Sequence, residues 1–105
     1  MPNKATAIFA QRLKDARAMR DVSQRALGAM LGMTKKNGSV RINRYEQQTS
    51  RADMDTAAEM AAALDVPLAY LFAESEDLAE WILAFGKLAP EERAKILSKA
   101  RKQPK

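Results

Sequence analysis

The chain has 105 residues, 47% hydrophobic and 30% charged, the size and balance of one soluble globular domain. Cysteine and histidine are both absent, which excludes a disulfide framework, a Cys/His zinc site, a thiol nucleophile and an imidazole base. A formal charge of +5 and a pI near 9.7 point to a polyanionic partner, most often nucleic acid.

Good helix formers fill most positions and β-branched alternation is nearly absent, so the pattern predicts an all-α fold. A first helix is predicted from Ala5 to Arg20, with Ile8, Phe9, Leu13 and Ala16 on one stripe. Asp21-Val22 is a short link. Ser23 then caps a second helix, Gln24 to Leu31, which turns Leu27 and Leu31 inward and stops at Gly32. Met33 to Gly38 reads as a loop, followed by a third helix from Ser39 to Glu46 with Ile42 and Tyr45 on its buried side. Asp53 caps a fourth, Met54 to Leu64, with Met54, Ala57, Ala61 and Leu64 at helical spacing. Pro67 opens a short fifth. Ser75 caps a sixth helix, Glu76 to Phe85, which Gly86 stops, and Pro90 opens a seventh to about Lys102. The predicted architecture is a five-helix bundle over 5–72 and a two-helix extension over 73–105.

The charge is distributed in blocks. Residues 1–51 hold eleven Lys/Arg against three acids, residues 52–85 hold eight acids and no base, and residues 86–105 hold seven bases and two acids. Such blocks speak about partners and solubility, not about fold. The acidic middle is expected to be a solvated surface facing away from any polyanion. No run approaches the roughly 18 to 20 apolar residues of a membrane span. The start also lacks the apolar core of a secretory signal, so the chain reads as cytoplasmic. Nothing in the spacing of Asp53, Asp55 and Glu59 demands a metal, and no cofactor is implied.

Residues 23 to 46 form a unit: a capped helix, a glycine stop, a loop, and a second helix ending Arg-Tyr-Glu. That is the layout of a helix-turn-helix, whose second helix enters the major groove with short or polar side chains outward and bases beside it for phosphates. Ser39, Arg41, Asn43 and Arg44 supply the first, and Lys35, Lys36 and Arg51 the second. A solvated helix face would look similar, and any helical bundle contains several such pairs.

The order and spacing of Leu13 to Arg17, Ser23-Gln24, Leu27, Gly32, Ile42 to Glu46, and Met54 through Leu64-Asp-Val-Pro67 make the match specific. Over about residues 6 to 72 the chain resembles the phage repressor/Cro type (XRE-like) of helix-turn-helix domain. The resemblance implies base contacts from Ser39, Val40, Arg41, Asn43 and Arg44, with Arg44 foremost. It implies phosphate contacts from Ser23, Gln24, Lys35, Lys36, Gln47 and Arg51, and an orienting ion pair between Arg17 and Glu46. Three features depart from the family pattern. The loop through Thr34 to Gly38 is about four residues longer than usual, Asp21 stands where glycine is frequent, and Ala52 replaces a proline.

The extension carries Leu78, Trp81, Ile82, Phe85, Leu88, Ile96 and Leu97, a face too apolar to leave wet. It is expected to fold back, to pair with a second copy, or to hold a protein partner such as a toxin or co-regulator. The resemblance implies a sequence-specific regulator on double-stranded DNA, a repressor acting as a homodimer. Two alternatives stay open: an antitoxin repressing its own operon, and an adaptor that keeps the fold without DNA. An adaptor has no need of the basic first half. An enzyme is the weakest reading, for want of paired acids or a phosphate-binding glycine loop.

Overall fold

A computed structural model describes residues 4–103, so Met1 to Asn3 and the last two residues of the extension, Pro104 and Lys105, lie outside it. Its elements are α1 (Ala5–Arg20), α2 (Gln24–Met30), α3 (Lys35–Glu46), α4 (Met54–Ala63), a 3₁₀ turn (Leu68–Phe72), α5 (Glu76–Lys87) and α6 (Pro90–Arg101). No strand occurs among the described residues. The all-α architecture is the predicted one, with the fifth helix of the bundle realised as the 3₁₀ turn.

Local chemistry sets most boundaries. α1 ends at Asp21, which adopts a left-handed conformation (φ 56°), the conformation that makes glycine frequent at such a corner. Ser23 Oγ caps α2 by accepting from the Ala26 N–H at 2.9 Å. Gly32 (φ 78°) closes that helix, with the Met33 N–H returning to the Gly28 carbonyl at 2.9 Å.

The third helix begins four residues before its expected start. Thr34 Oγ1 accepts from the Asn37 N–H at 3.2 Å, and α3 runs on from Lys35, so the apparent extra loop is an additional helical turn. Asn37-Gly38, which reads as a turn, lies inside the helix because Gly38 packs against Gly28 of α2. A Cβ on Gly28 would stand 2.6 Å from the Gly38 Cα, so the two helices cross with backbone nearly on backbone. Gly86 is corrected in the same way. It lies within α5, where a Cβ would come within 3.3 Å of the Pro67 ring, and the helix runs on to Lys87.

Leu13, Leu27, Ile42, Met60, Leu64 and Leu71 are fully buried, joining α1 to α4 and the 3₁₀ turn around one core. Met54, expected inside, is 86% exposed at the start of α4, and Met60 fills the core in its place. Two arginines of α1 lock the bundle from its edges. Arg12 is buried and donates to the Ala73 carbonyl (2.9 Å), Asp15 (3.3 Å) and Glu76 (3.1 Å). Arg20 donates to the carbonyls of Leu64 (2.9 Å) and Asp65 (2.7 Å), which α4 leaves unpaired at its end. Burial pushes the Tyr70 phenol up from its ordinary pKa, with Asp15 adding to the rise and the Arg12 charge opposing it.

α6 buries none of its residues. Arg93 ties it to α5, donating to the carbonyls of Phe85 (3.0 Å) and Gly86 (3.1 Å) with its guanidinium 4.9 Å from the Phe85 ring centre. The radius of gyration is 15.6 Å. A compact chain of this length has about 13 Å. The α5–α6 pair is therefore an arm that leaves the bundle: α5 keeps Ala79 in the core with Ile82 and Leu83 packed against it, and α6 stands outside.

Alanine at either glycine of the crossing gains about 1 kcal/mol of helix propensity, against an overpacking cost of about 1–3 kcal/mol. At Gly38 the new Cβ would meet the Gly28 Cα at 3.2 Å, a contact that small shifts relieve. Urea unfolding should therefore show a clear net loss for Gly28→Ala and a near-neutral Gly38→Ala. Equal effects would mean that the helices do not cross at this point.

Candidate nucleic-acid interface

α3 packs against α2 and α1, and what remains faces outward. Gly38, Ile42, Tyr45 and Glu46 are buried at helical spacing. At about 100° per residue, the opposite side carries Lys36, Asn37, Val40, Asn43, Arg44 and Gln47, all exposed. The strip holds two cations and three amides, with Val40 (45% exposed) as its apolar contact. The sequence pattern does not single out Asn37. The signal for it is Thr34 as a cap, which restores the row 36/37, 40, 43/44, 47.

The other candidates fall beside the strip. Ser39 is half-buried. Arg41 leans toward Tyr45, donating to its hydroxyl at 2.8 Å with the guanidinium 5.9 Å from the ring centre. From there it acts on Asp53, the cap of α4. The Thr56 N–H chiefly holds that carboxyl below its ordinary range, and the Arg41 charge adds to this. Asp53 is thus committed to capping.

Of the phosphate candidates, Lys35 and Lys36 are exposed in the first turn of α3, which holds no acid. Cations there oppose the helix dipole, an unfavourable placement that a phosphate nearby would reverse. Gln47 and Arg51 are exposed beyond the other end of the helix. Ser23 is exposed but its hydroxyl already caps α2. Gln24 donates from its amide nitrogen to Asn43 Oδ1 (3.2 Å) and Glu46 Oε1 (3.0 Å), which uses both hydrogens inside the protein. At this end the donors left for an anion are the first backbone N–H groups of α2.

Glu46 is 3% exposed and receives Arg17 through both oxygens, from Nε at 2.5 Å and from Nη2 at 2.8 Å. Arg17 Nη1 also donates to the Val22 carbonyl at 3.0 Å, so one guanidinium fixes the end of α3 and the entry to α2. The hydrogen bond to Glu46 raises the Arg17 pKa further, against the opposing effect of burial. The acidic middle is not wholly turned away from this face. Thr56 and Glu59 of α4 line the same hollow as Val40, Arg41 and Arg44.

Comparison with known proteins agrees with this geometry. A helix-turn-helix family model matches residues 13–71. A crystal structure of the transcriptional regulator BswR aligns with a TM-score of 0.83 and 35% identity, over 90% of this chain and 93% of that one. A likeness of that extent runs past residue 71 into the α5–α6 arm. No curated protein matches the chain. No described helix is long and apolar enough to cross a membrane.

Breaking a buried ion pair by removing one partner costs about 3–5 kcal/mol, because the other charge is left buried. Arg17→Met strands Glu46 and should approach that loss. Glu46→Gln leaves an arginine whose side chain is 19% exposed and can reach water, so it should cost less. Denaturant unfolding of both variants checks the order, and a milder loss for Arg17→Met would contradict it.

Proposed function

This chain belongs to the helix-turn-helix family of the phage repressor/Cro type, and we propose that it is a repressor of transcription acting as a dimer on double-stranded DNA. The observation that carries this reading is the exposed strip of α3, braced from within by Arg17 and flanked by lysines at its leading end. In this reading Arg44 pairs with a guanine edge, Asn37, Val40 and Asn43 meet neighbouring bases, and Lys35, Lys36 and Arg51 neutralise phosphates. Arg41 serves mainly to brace Tyr45. Repression follows sterically, from occupation of the site that polymerase needs. An adaptor free of DNA would have no use for such a strip.

The dimer is assigned to the arm. Leu78, Trp81, Phe85 and Leu97 are all exposed, Trp81 by 58%, while Ile82 and Ile96 are half-buried. A groove of about 500 Å³ runs between α5 and the 3₁₀ turn, lined by Pro67, Trp81, Ile82 and Phe85. Each large apolar side chain covered by a partner contributes roughly 1.5–3 kcal/mol. A second copy offers the same surface by two-fold symmetry, and half-sites about 34 Å apart then follow from one helical turn of DNA.

Mobility shift on DNA upstream of the chain's own gene, over a salt series, tests the function. Specific binding should weaken steeply with salt. Arg44→Ala should cost roughly 1–3 kcal/mol of discrimination at one base pair. Lys36→Ala should weaken all sequences alike and lower the salt slope by about one. No binding at moderate salt would favour the adaptor.

Sedimentation tests the dimer. The native chain should sediment as a dimer at micromolar concentration and Trp81→Asp as a monomer. A native monomer at high micromolar concentration would leave the arm to a toxin or co-regulator.

A further inference from the structure

Hydrogen bonds from one residue tie α6 to its own copy. Among the described residues the helix buries none of its own, and its hydrogen bonds to α5 come from Arg93 alone. Yet α6 is amphipathic: Arg93, Ile96, Leu97 and Ala100 recur at helical spacing on one side, with Lys99 and Arg101 at its borders. α5 shows the counterpart. Asp77, Trp81, Ala84 and Phe85 share its exposed side, and Glu80 stands at the border. Trp81 lines two hollows, the groove along Pro67 and Phe85 and a second of about 270 Å³ shared with Asp77, Glu80 and Ala84. Arg12 already takes Glu76 at 3.1 Å. Among the described residues, Asp77 and Glu80 form no ion pair with any cation, and Lys99 and Arg101 form none with any acid.

We propose that α6 of each copy packs antiparallel along α5 of the other, its basic end against the acidic start of that helix. The inference rests on the dimer proposed for the arm and names the occupant of the groove as the second copy's α6. Charge complementarity and length carry it. Both helices have 12 residues, so one antiparallel register serves both kinds of contact. It sets Lys99 and Arg101 beside Asp77 and Glu80, and lays Ile96 and Leu97 along Trp81 and Phe85. Antiparallel helix dipoles favour the same arrangement. Two-fold symmetry makes each contact twice. Two α5 helices packed on each other would instead leave α6 uncovered and both sets of charges unpaired.

Sedimentation of charge-reversed chains tests the exchange. Glu80→Lys in one chain, and Lys99→Glu with Arg101→Glu in another, should each weaken the homodimer by about tenfold, since attraction becomes repulsion at two symmetric places. An equimolar mixture of the two reversed chains should dimerise as tightly as the native chain, because each α5 then meets a partner α6 of opposite charge. Packing of α6 on its own α5 could not be repaired by mixing. Thermal melting checks that the variants are folded. The native dimer needs no variant and should itself weaken as salt rises. A native dimer indifferent to salt, reversed chains as tight as the native one, or a mixture no tighter than its separate components overturns the inference while leaving the dimer in place. A native monomer overturns the proposed dimer and this inference together.

Discussion

The domain depends on a single guanidinium. Arg17 spends Nε and Nη2 on the two oxygens of Glu46 and Nη1 on the Val22 carbonyl, so α1, the α1–α2 link and the end of α3 share one hub. A bidentate arginine–carboxylate pair fixes direction as well as distance, which a purely apolar contact between these helices would not do. The pair gives little net stability, since both groups leave water to form it. Its contribution is to geometry. A rotation of α3 about its own axis would tear Glu46 from Arg17, so the outward strip stays outward.

The leading end of α3 is placed by a different device. Gly28 and Gly38 bring the backbones of α2 and α3 nearly into contact, and Ile42 and Leu27 can then reach the same core. With the crossing near the start of α3 and the ion pair at its last residue, the helix is clamped at both ends. The turn before the crossing, Lys35 to Asn37, projects freely from it. It carries two cations and no acid, against the preference of a helix start. Such a cost at an exposed turn supports the proposed contact with an anion.

Much of this was legible in the sequence, because caps and apolar periods act locally. Ser23, Asp53 and Ser75 cap the helices they announce, and all six α-helices and the 3₁₀ turn fall near their expected positions. The misreadings share one cause. Gly38 and Gly86 read as breakers because glycine weakens a helix, but each lies within its helix and packs closely against a neighbour in space, Gly28 in one case and Pro67 in the other. Nothing in a linear sequence announces that neighbour. The same holds for Arg12, whose partners Ala73 and Glu76 lie more than sixty positions away, and for the exchange of Met54 by Met60, where both residues fit the helical period. In the candidate site, the residue types were legible but their facing was not. Moving the start of α3 back to Lys35 brings in Asn37, while the Tyr45 hydroxyl draws Arg41 aside.

The bundle and the arm obey different constraints, and this shapes how the molecule divides its work. Among the described residues the bundle leaves no buried side-chain polar atom without a partner, so its interior is complete in one copy. The arm is unfinished: α6 buries nothing, and α5 turns Trp81 and Phe85 to solvent. Charge follows the same division. The three acids of α5, Glu76, Asp77 and Glu80, lie on the arm or its junction, and the cations that flank the exposed strip lie on α3 and beyond its end. Two copies joined through such arms would bring the apolar faces together while leaving each basic strip exposed. Association and DNA contact would then use separate surfaces of one small chain.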